Sequence, residues 1–286
     1  MRLQFQRDAV SQALAGKPPK QPIAVLLSKA VEDLTYQSSG KAKFSKSWFN
    51  RVINTREQNL SNPPFTSLAS LETYAENTYS TLMYLKLQSL PVASVSADHL
   101  ASHIGKATGI ATLLRGLPLI AFPPSQRHNA QESFGGSVGT TRQGAVLLPL
   151  DIMAQYGVRE EDVLRSGGSA KGLKDAVFAV ATRANDHLIT AREMLKNVRA
   201  GQDEGHEFEH REEEEHVYEQ SLLQGAKMTP KQEIERSFGV FLPAVATSLW
   251  LQRLEKYDFD VFEPKLRMTD WRLPWKAWWA YTRKQI

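Results

Sequence analysis

The stretch DHLASHIGKATGIATLLRGLPL at 98–119, followed after an interruption by GAVLLPLD at 144–151, decides the fold. Leu100, Ile104, Ala107, Ile110, Ala111, Leu113 and Leu114 recur close to the i, i+3, i+4, i+7 spacing of one buried helical face. Pro118 cannot donate to a helical ladder, so the spacing predicts a helix over 95–117. A helix that handles a diphosphate through magnesium would carry carboxylates one turn apart, because Mg²⁺ is a hard cation that takes oxygen ligands. From Leu100 to Ala121 there is neither Asp nor Glu, and Arg115 is ionised near the end of the run.

Outward from this stretch the segments read as further helices. Residues 1–15 form a first helix, ended by Gly16 and Pro18-Pro19. Pro22 suits the first turn of the next, IAVLLSKAVEDL. Ser45 or Ser47 can cap WFNRVINTREQNL, which stops before Asn62-Pro63-Pro64. Residues 67–90 form one long helix with Ser67, Ser70 or Thr73 as its cap, and VLLPLDIMAQYGV and REEDVLRSG form short helical turns. Residues 171–198 place Leu173, Val177, Val180, Ala184, Leu188, Ala191 and Leu195 on one face, and FLPAVATSLWLQRLEKY is a further apolar helix. Strand periodicity, repeats and a Gly-rich phosphate loop are not found. The expected architecture is all-α: one domain over 1–286, with about eight or nine helices around one core. Residues 121–143, rich in Pro, Gly, Ser and Gln, read as a loop insertion, and 200–235 as an acidic, disordered one.

The hydrophobic fraction of 42% and charged fraction of 23% are those of a folded domain, and 286 residues suffice for a sizeable core. With no cysteine, disulfides, thiolate-held clusters and thiol nucleophiles are excluded. Residues 202–219 hold nine acids and one base, net −8, so the remainder carries 34 bases against 22 acids, net +12. A basic body suggests an anionic partner, lipid or nucleic acid by charge alone. No nucleic-acid motif is present, and nucleic acid is not an expected partner.

The central stretch resembles the second metal motif of the squalene/phytoene synthase family, roughly G-x-A-x-Q-L-T-N-I-L-R-D-x-x-E-D followed by Y-L-P-x-D. Gly105, Ala107, Leu113, Leu114, Arg115, Leu148, Pro149 and Asp151 keep that pattern. The motif's glutamine and asparagine fall on Gly109 and Thr112, its first aspartate on Gly116, and its acidic pair on Leu119 and Ile120. Where the enzymes end a helix G-M-x-x-D-L, this chain has Asn59-Leu60. Where they line a prenyl pocket with Y-C-x-x-V-A-G-x-V, it keeps Tyr74 but puts Tyr79, Ser80 and Thr81 in place of small residues. The resemblance therefore implies an isoprenoid-synthase-like bundle whose pocket is vestigial, at Asn59, Tyr74, Tyr79, Gly109, Thr112, Arg115 and Gly116. It also implies that the chain starts past the family's helices of the first aspartate-rich motif, either as a truncated form or because it has lost them.

YAENTYSTLMYL, ADHLASHIGKATGI, LPLDI and FDVFEPKL resemble, within that family, the branch that serves assembly of mitochondrial respiratory complex I, in its fungal form. What this implies is a protein without catalytic residues, metal or cofactor, peripheral on the matrix side of the inner membrane. Its partners would be complex I subunits or assembly intermediates, with a lipid or prenyl chain as an optional ligand. The competing reading is an active prenyl transferase that condenses prenyl diphosphates, which needs metal-held charge stabilisation.

Three further features invite chemistry. HEFEH at 206–210 matches the zinc-protease pattern H-E-x-x-H, which works only on a buried helix. Its flanks, GQDEG and REEEEH, read instead as a solvated tract. His99 and His103 lie one turn apart beside Asp98, a spacing that could hold a metal but lacks an evident third ligand. The ordinary role for them is helix start and hydrogen-bonded core. Arg115 is expected to pair with Asp151, Glu57 or Glu76 rather than bind an anion. Trp271, Trp275, Trp278 and Trp279 follow i, i+4, i+7, i+8 among Arg272, Lys276, Arg283 and Lys284. Such a stripe serves either packing on the body or contact with a membrane or partner.

Overall fold

The computed structural model describes residues 2–123, 144–202, 205–210, 212–213, 216 and 228–286. In chain order the helices are α1 (Arg2–Leu14), α2 (Pro22–Gln37), α3 (Lys46–Gln58), α4 (Leu68–Ala75), α5 (Thr81–Ser89), α6 (Val95–Ala121) and α7 (Leu150–Gln155). There follow α8 (Glu160–Ser166), α9 (Leu173–Arg199), α10 (Pro230–Ser237), α11 (Pro243–Lys256) and α12 (Leu273–Arg283). Among the described residues there is no strand. The all-α expectation holds, with more helical segments than eight or nine because the 67–90 helix divides into α4 and α5 and because α10 lies within the segment expected to be disordered.

Local chemistry accounts for the starts. Ser45 Oγ accepts from the Trp48 N–H, and Ser67 and Ser70 form a reciprocal capping box at α4. Ser94 Oγ accepts from the Ala97 N–H at α6, and Thr229 and Gln232 box α10, so order resumes inside the segment expected to be disordered. Residues 124–143 of the expected loop insertion lie outside the described residues.

Two boundaries differ from expectation. α6 runs through Pro118 to Ala121, because a missing N–H within the last turn forfeits one ladder bond while the Pro118 carbonyl still accepts from Phe122. The helix expected over 67–90 is α4 and α5 joined by a π turn, Glu76–Ser80, which inserts an extra residue into the ladder.

α6 is the axis. It packs on α9, on the α4–π–α5 rod, on α10 and on α11. Leu100, Ile104, Ile110, Leu114 and Leu117 are fully buried, each stabilising the fold by about 1.5–3 kcal/mol. The rod lies unusually close. A Cβ on Gly105 would stand 2.3 Å from Ser80 Oγ, and one on Gly109 2.6 Å from Ala75 Cβ. On the opposite side of the rod, Phe5, Ile23, Leu82 and their neighbours line an apolar groove between α1, α2, α3 and α5 in which those three side chains are exposed.

Candidate functional site

The positions aligned with the family's diphosphate motif fall on the C-terminal half of α6. Gly109 abuts the rod, and a Cβ there would also meet the Tyr79 ring at 2.9 Å. Arg56 sits over Tyr74 and Tyr79, 6.0 and 5.9 Å from the two ring centroids. The half-buried Tyr74 hydroxyl is pushed up from its ordinary value, first by burial. Asn59 is turned back on its own helix, donating to the Thr55 carbonyl at 2.8 Å, and Thr112 donates to the Thr108 carbonyl at 2.7 Å. Thr112 is exposed, and Gly116 has nothing nearer to its side-chain position than Ile120, 3.9 Å away.

Arg115 is exposed, and the three acids considered as its partners are engaged elsewhere. Asp151 accepts from the N–H groups of Leu68 and Ile152, Glu57 pairs with Arg7, and Glu76 accepts from Tyr84 and Ser102. An arginine facing water needs no buried counter-charge, which is why the expected pairing is absent. This face offers amide, hydroxyl and guanidinium groups, and none of the positions aligned with the motif's acids carries a carboxylate for Mg²⁺.

A second constellation forms at the N-terminal half of α6. His99 and His103 stood out in the sequence as a pair, and His206 only as part of a separate pattern. The described part of 205–216, here called the strap, folds across α6. His206 Nε2 lies 3.1 Å from His99 Nε2 and 3.0 Å from His103 Nε2. His103 Nδ1 lies 3.0 Å from Nδ1 of His187 on α9, whose Nε2 lies 2.6 Å from Glu72 Oε1 on α4. Arg183 donates to the same carboxylate oxygen at 2.6 Å. Burial pushes the Glu72 carboxyl up, but the hydrogen bonds from His187 and Arg183 outweigh it and hold it below its ordinary value. Burial, then the neighbouring His187, His99 and Lys106, press the His103 imidazole down to about 2, so it is neutral.

The rest of the strap is anchored in the same way. Phe208 is buried in the main core, and Lys106 donates to Glu209 at 2.8 Å. Arg51 donates to Glu213 at 2.8 Å, and His210 lies 3.0 Å from Glu213. His216 is fully buried, 2.8 Å from Asp98, with its ring tilted against Trp48 at 5.4 Å and edge-on to Tyr84 at 4.7 Å, centroid to centroid. The tract expected to be solvated is therefore buried at Phe208 and His216, and Glu209, Glu213 and His216 each meet a partner from a distant helix. Residues 203–204, 211, 214–215 and 217–227 lie outside the described residues. Residues 206–210 form bends and turns rather than a helix, so H-E-x-x-H lacks the geometry its chemistry requires. His187, Glu72 and Lys106 carried no sequence signal, since each sits alone on an amphipathic helix.

At the other end, α12 packs on α11 through Ala280 and Leu273 against Val245 and Leu249. Its tryptophans point away. Trp271, just before the helix, and Trp275, Trp278 and Trp279 are 77, 69, 59 and 51% exposed. Arg283 stacks over Trp279 at 4.0 Å and Lys284 over Tyr281 at 3.7 Å, so cations and aromatic rings share one surface. A groove of about 490 Å³ beside it is lined by Val245, Leu249, Trp275, Trp279, Ala280 and Ile286. No helix among the described residues is long and apolar enough to cross a membrane.

Comparison with known proteins agrees with this architecture. The chain is similar to "NADH dehydrogenase (ubiquinone) complex I, assembly factor 6" of Rattus norvegicus, 33% identical over 100% of this chain and 66% of that protein. It is 31% identical to the Homo sapiens protein of the same name, over 96% of this chain and 63% of that one. It is 30% identical to the Drosophila melanogaster homolog, over 98% and 66%. The chain thus spans just under two thirds of the length of these relatives. The squalene/phytoene synthase family model matches residues 1–205, and with α6 and its rod inside that span the chain belongs to the squalene/phytoene synthase family.

Proposed function

We propose that this chain is a non-catalytic member of its family that serves assembly of mitochondrial respiratory complex I, peripheral on the matrix side of the inner membrane. The observation that carries the reading is the α6 face at Gly109, Thr112 and Gly116. It holds no carboxylate, its arginine faces water, and Tyr79 occupies the space beside Gly109. Without metal, a departing diphosphate would lose its main charge stabilisation. The names of its relatives support the assembly role, with complex I subunits or assembly intermediates as partners. The exposed tryptophans interleaved with Arg272, Lys276 and Arg283 support contact with an anionic bilayer surface, and the apolar groove beside them suits a lipid or prenyl chain.

The test has two arms. Cells lacking this protein should recover assembled complex I, seen on native gels, when the chain is restored with or without Arg115→Ala. The purified chain with Mg²⁺ should not turn over farnesyl or geranylgeranyl diphosphate. Metal-dependent turnover abolished by Arg115→Ala would return the prenyl transferase reading to first place.

A further inference from the structure

We infer that His99, His103 and His206 form a three-imidazole site for a divalent transition metal, zinc foremost, that clips the strap onto the bundle. The ligand atoms converge. One ring nitrogen from each histidine lies within 4.8 Å of the other two, with the two contacts to His206 at 3.0 and 3.1 Å. Nitrogens bound to one tetrahedral zinc stand roughly 3.3 Å apart at ordinary Zn–N lengths, so small side-chain rotations complete the set. Two ligands are pre-positioned one turn apart on the best-packed helix of the molecule. The third arrives from the strap and is exposed, which leaves a path for the ion.

With every imidazole neutral, protons cannot satisfy this arrangement. The Glu72 carboxylate only accepts, so a neutral His187 carries its proton on Nε2 and presents a bare Nδ1 to His103. His103 then donates from Nδ1 and points a lone pair from Nε2 at His206. If His206 Nε2 bears a proton, it can serve His103 but cannot accept from His99. If it bears none, it can accept from His99 but opposes the lone pair of His103. Among neutral imidazoles one of the two contacts is mismatched, whereas a single cation takes all three lone pairs. The same chain from Glu72 through His187 is the carboxylate–histidine support that fixes ring orientation and raises ligand basicity in metal centres. Neutral imidazoles suit zinc, copper, iron or nickel, and three with an open fourth position match the zinc pattern best. The nearby Lys106 charge is met by Glu209 at 2.8 Å, which lowers its opposition to a cation.

Calorimetric titration of the chelator-stripped full chain with Zn²⁺, and the visible absorption of its Co²⁺ form, test this. One equivalent should bind with a tetrahedral Co²⁺ spectrum. Glu72→Gln, a positioning change, should weaken binding about 10–100-fold and alter that spectrum, and His103→Gln or His206→Gln should weaken it further. His210→Ala, in the same tract but paired with Glu213, should leave affinity within about twofold. His206 is exposed, so its variant keeps the fold and decides the matter even if His103→Gln does not. Absence of saturable binding, binding untouched by His206→Gln, or binding lost with His210→Ala would each overturn the site. The last two would assign the ion to the charged tract alone.

Discussion

His216 reaches Asp98, 118 positions away, at 2.8 Å with both side chains buried. Its ring is also a core ring, set against Trp48, Tyr84 and Phe208. His216→Ala therefore removes apolar contact and the partner of a buried acid together. Breaking a buried pair from one side costs about 3–5 kcal/mol. Urea unfolding followed by far-UV circular dichroism should show a loss of that order, and a loss under about 0.5 kcal/mol would mean the ring is not part of the core.

The contact between α6 and the rod makes two glycines of one helix behave oppositely. In Gly105→Ala the new methyl meets Ser80 Oγ at 2.3 Å and Ser80 Cα at 2.4 Å, and backbone cannot rotate away as a side chain can. The helices must part, at about 1–3 kcal/mol or more. Gly116→Ala meets nothing nearer than 3.9 Å in a helix interior, where alanine is favoured by about 0.5–1 kcal/mol. Thermal melts of the two variants should move in opposite directions from the parent.

Strap docking should depend on acid pH. The Glu209 carboxyl is held below its ordinary 4.5, first by the hydrogen bond from Lys106 and then by its charge. Burial pushes Glu213 up, but the hydrogen bonds from Arg51 and His210 outweigh it, and the net shift is again downward. A carboxylate with a depressed folded value contributes stability that is fully present above the unfolded value and lost as pH falls through the folded one. Hydrogen exchange over 205–213, normalised to the unfolded-chain rate at each pH, should show full protection at neutral pH and a decline beginning below about pH 4.5. Lys106→Met should lower protection at neutral pH and flatten the part of the decline that Glu209 contributes. Protection that is flat to the pH where α6 itself unfolds would refute the anchoring role.

The exposed tryptophans should be dispensable for folding and needed for surface contact. Replacing Trp275, Trp278 and Trp279 by serine together should change unfolding stability by less than about 1 kcal/mol, because each is at least half exposed. Cosedimentation with vesicles containing anionic lipid should fall at least about tenfold, and added salt should weaken the parent's binding. Equal sedimentation of parent and variant would remove the bilayer from the list of surfaces this face serves.

What the sequence made legible was whatever a short window can encode. The buried stripe of α6, the serine caps of α3 and α4 and the proline start of α2 are local signals, and each holds. The π turn leaves no such mark, since Glu76–Ser80 reads as uninterrupted helix and the inserted residue is held by packing against Gly105. The strap was misread for a different reason. Its charge density favours water in isolation, and only Asp98, Lys106 and Arg51, contributed by α6 and α3, make burial affordable. Half of the histidine cluster could be found as an i, i+4 pair; the other half depends on contacts spanning more than 80 positions.

The family match ends at residue 205, one position before the strap's first histidine. A chain cut there would keep α6, the rod and α9, yet Trp48 and Tyr84 would face the void left by His216, and Asp98 would lose its 2.8 Å contact with that ring. Closing a loop of this span carries an entropy cost before any contact rewards it, so the last piece of the core is also expected to be the last acquired in refolding.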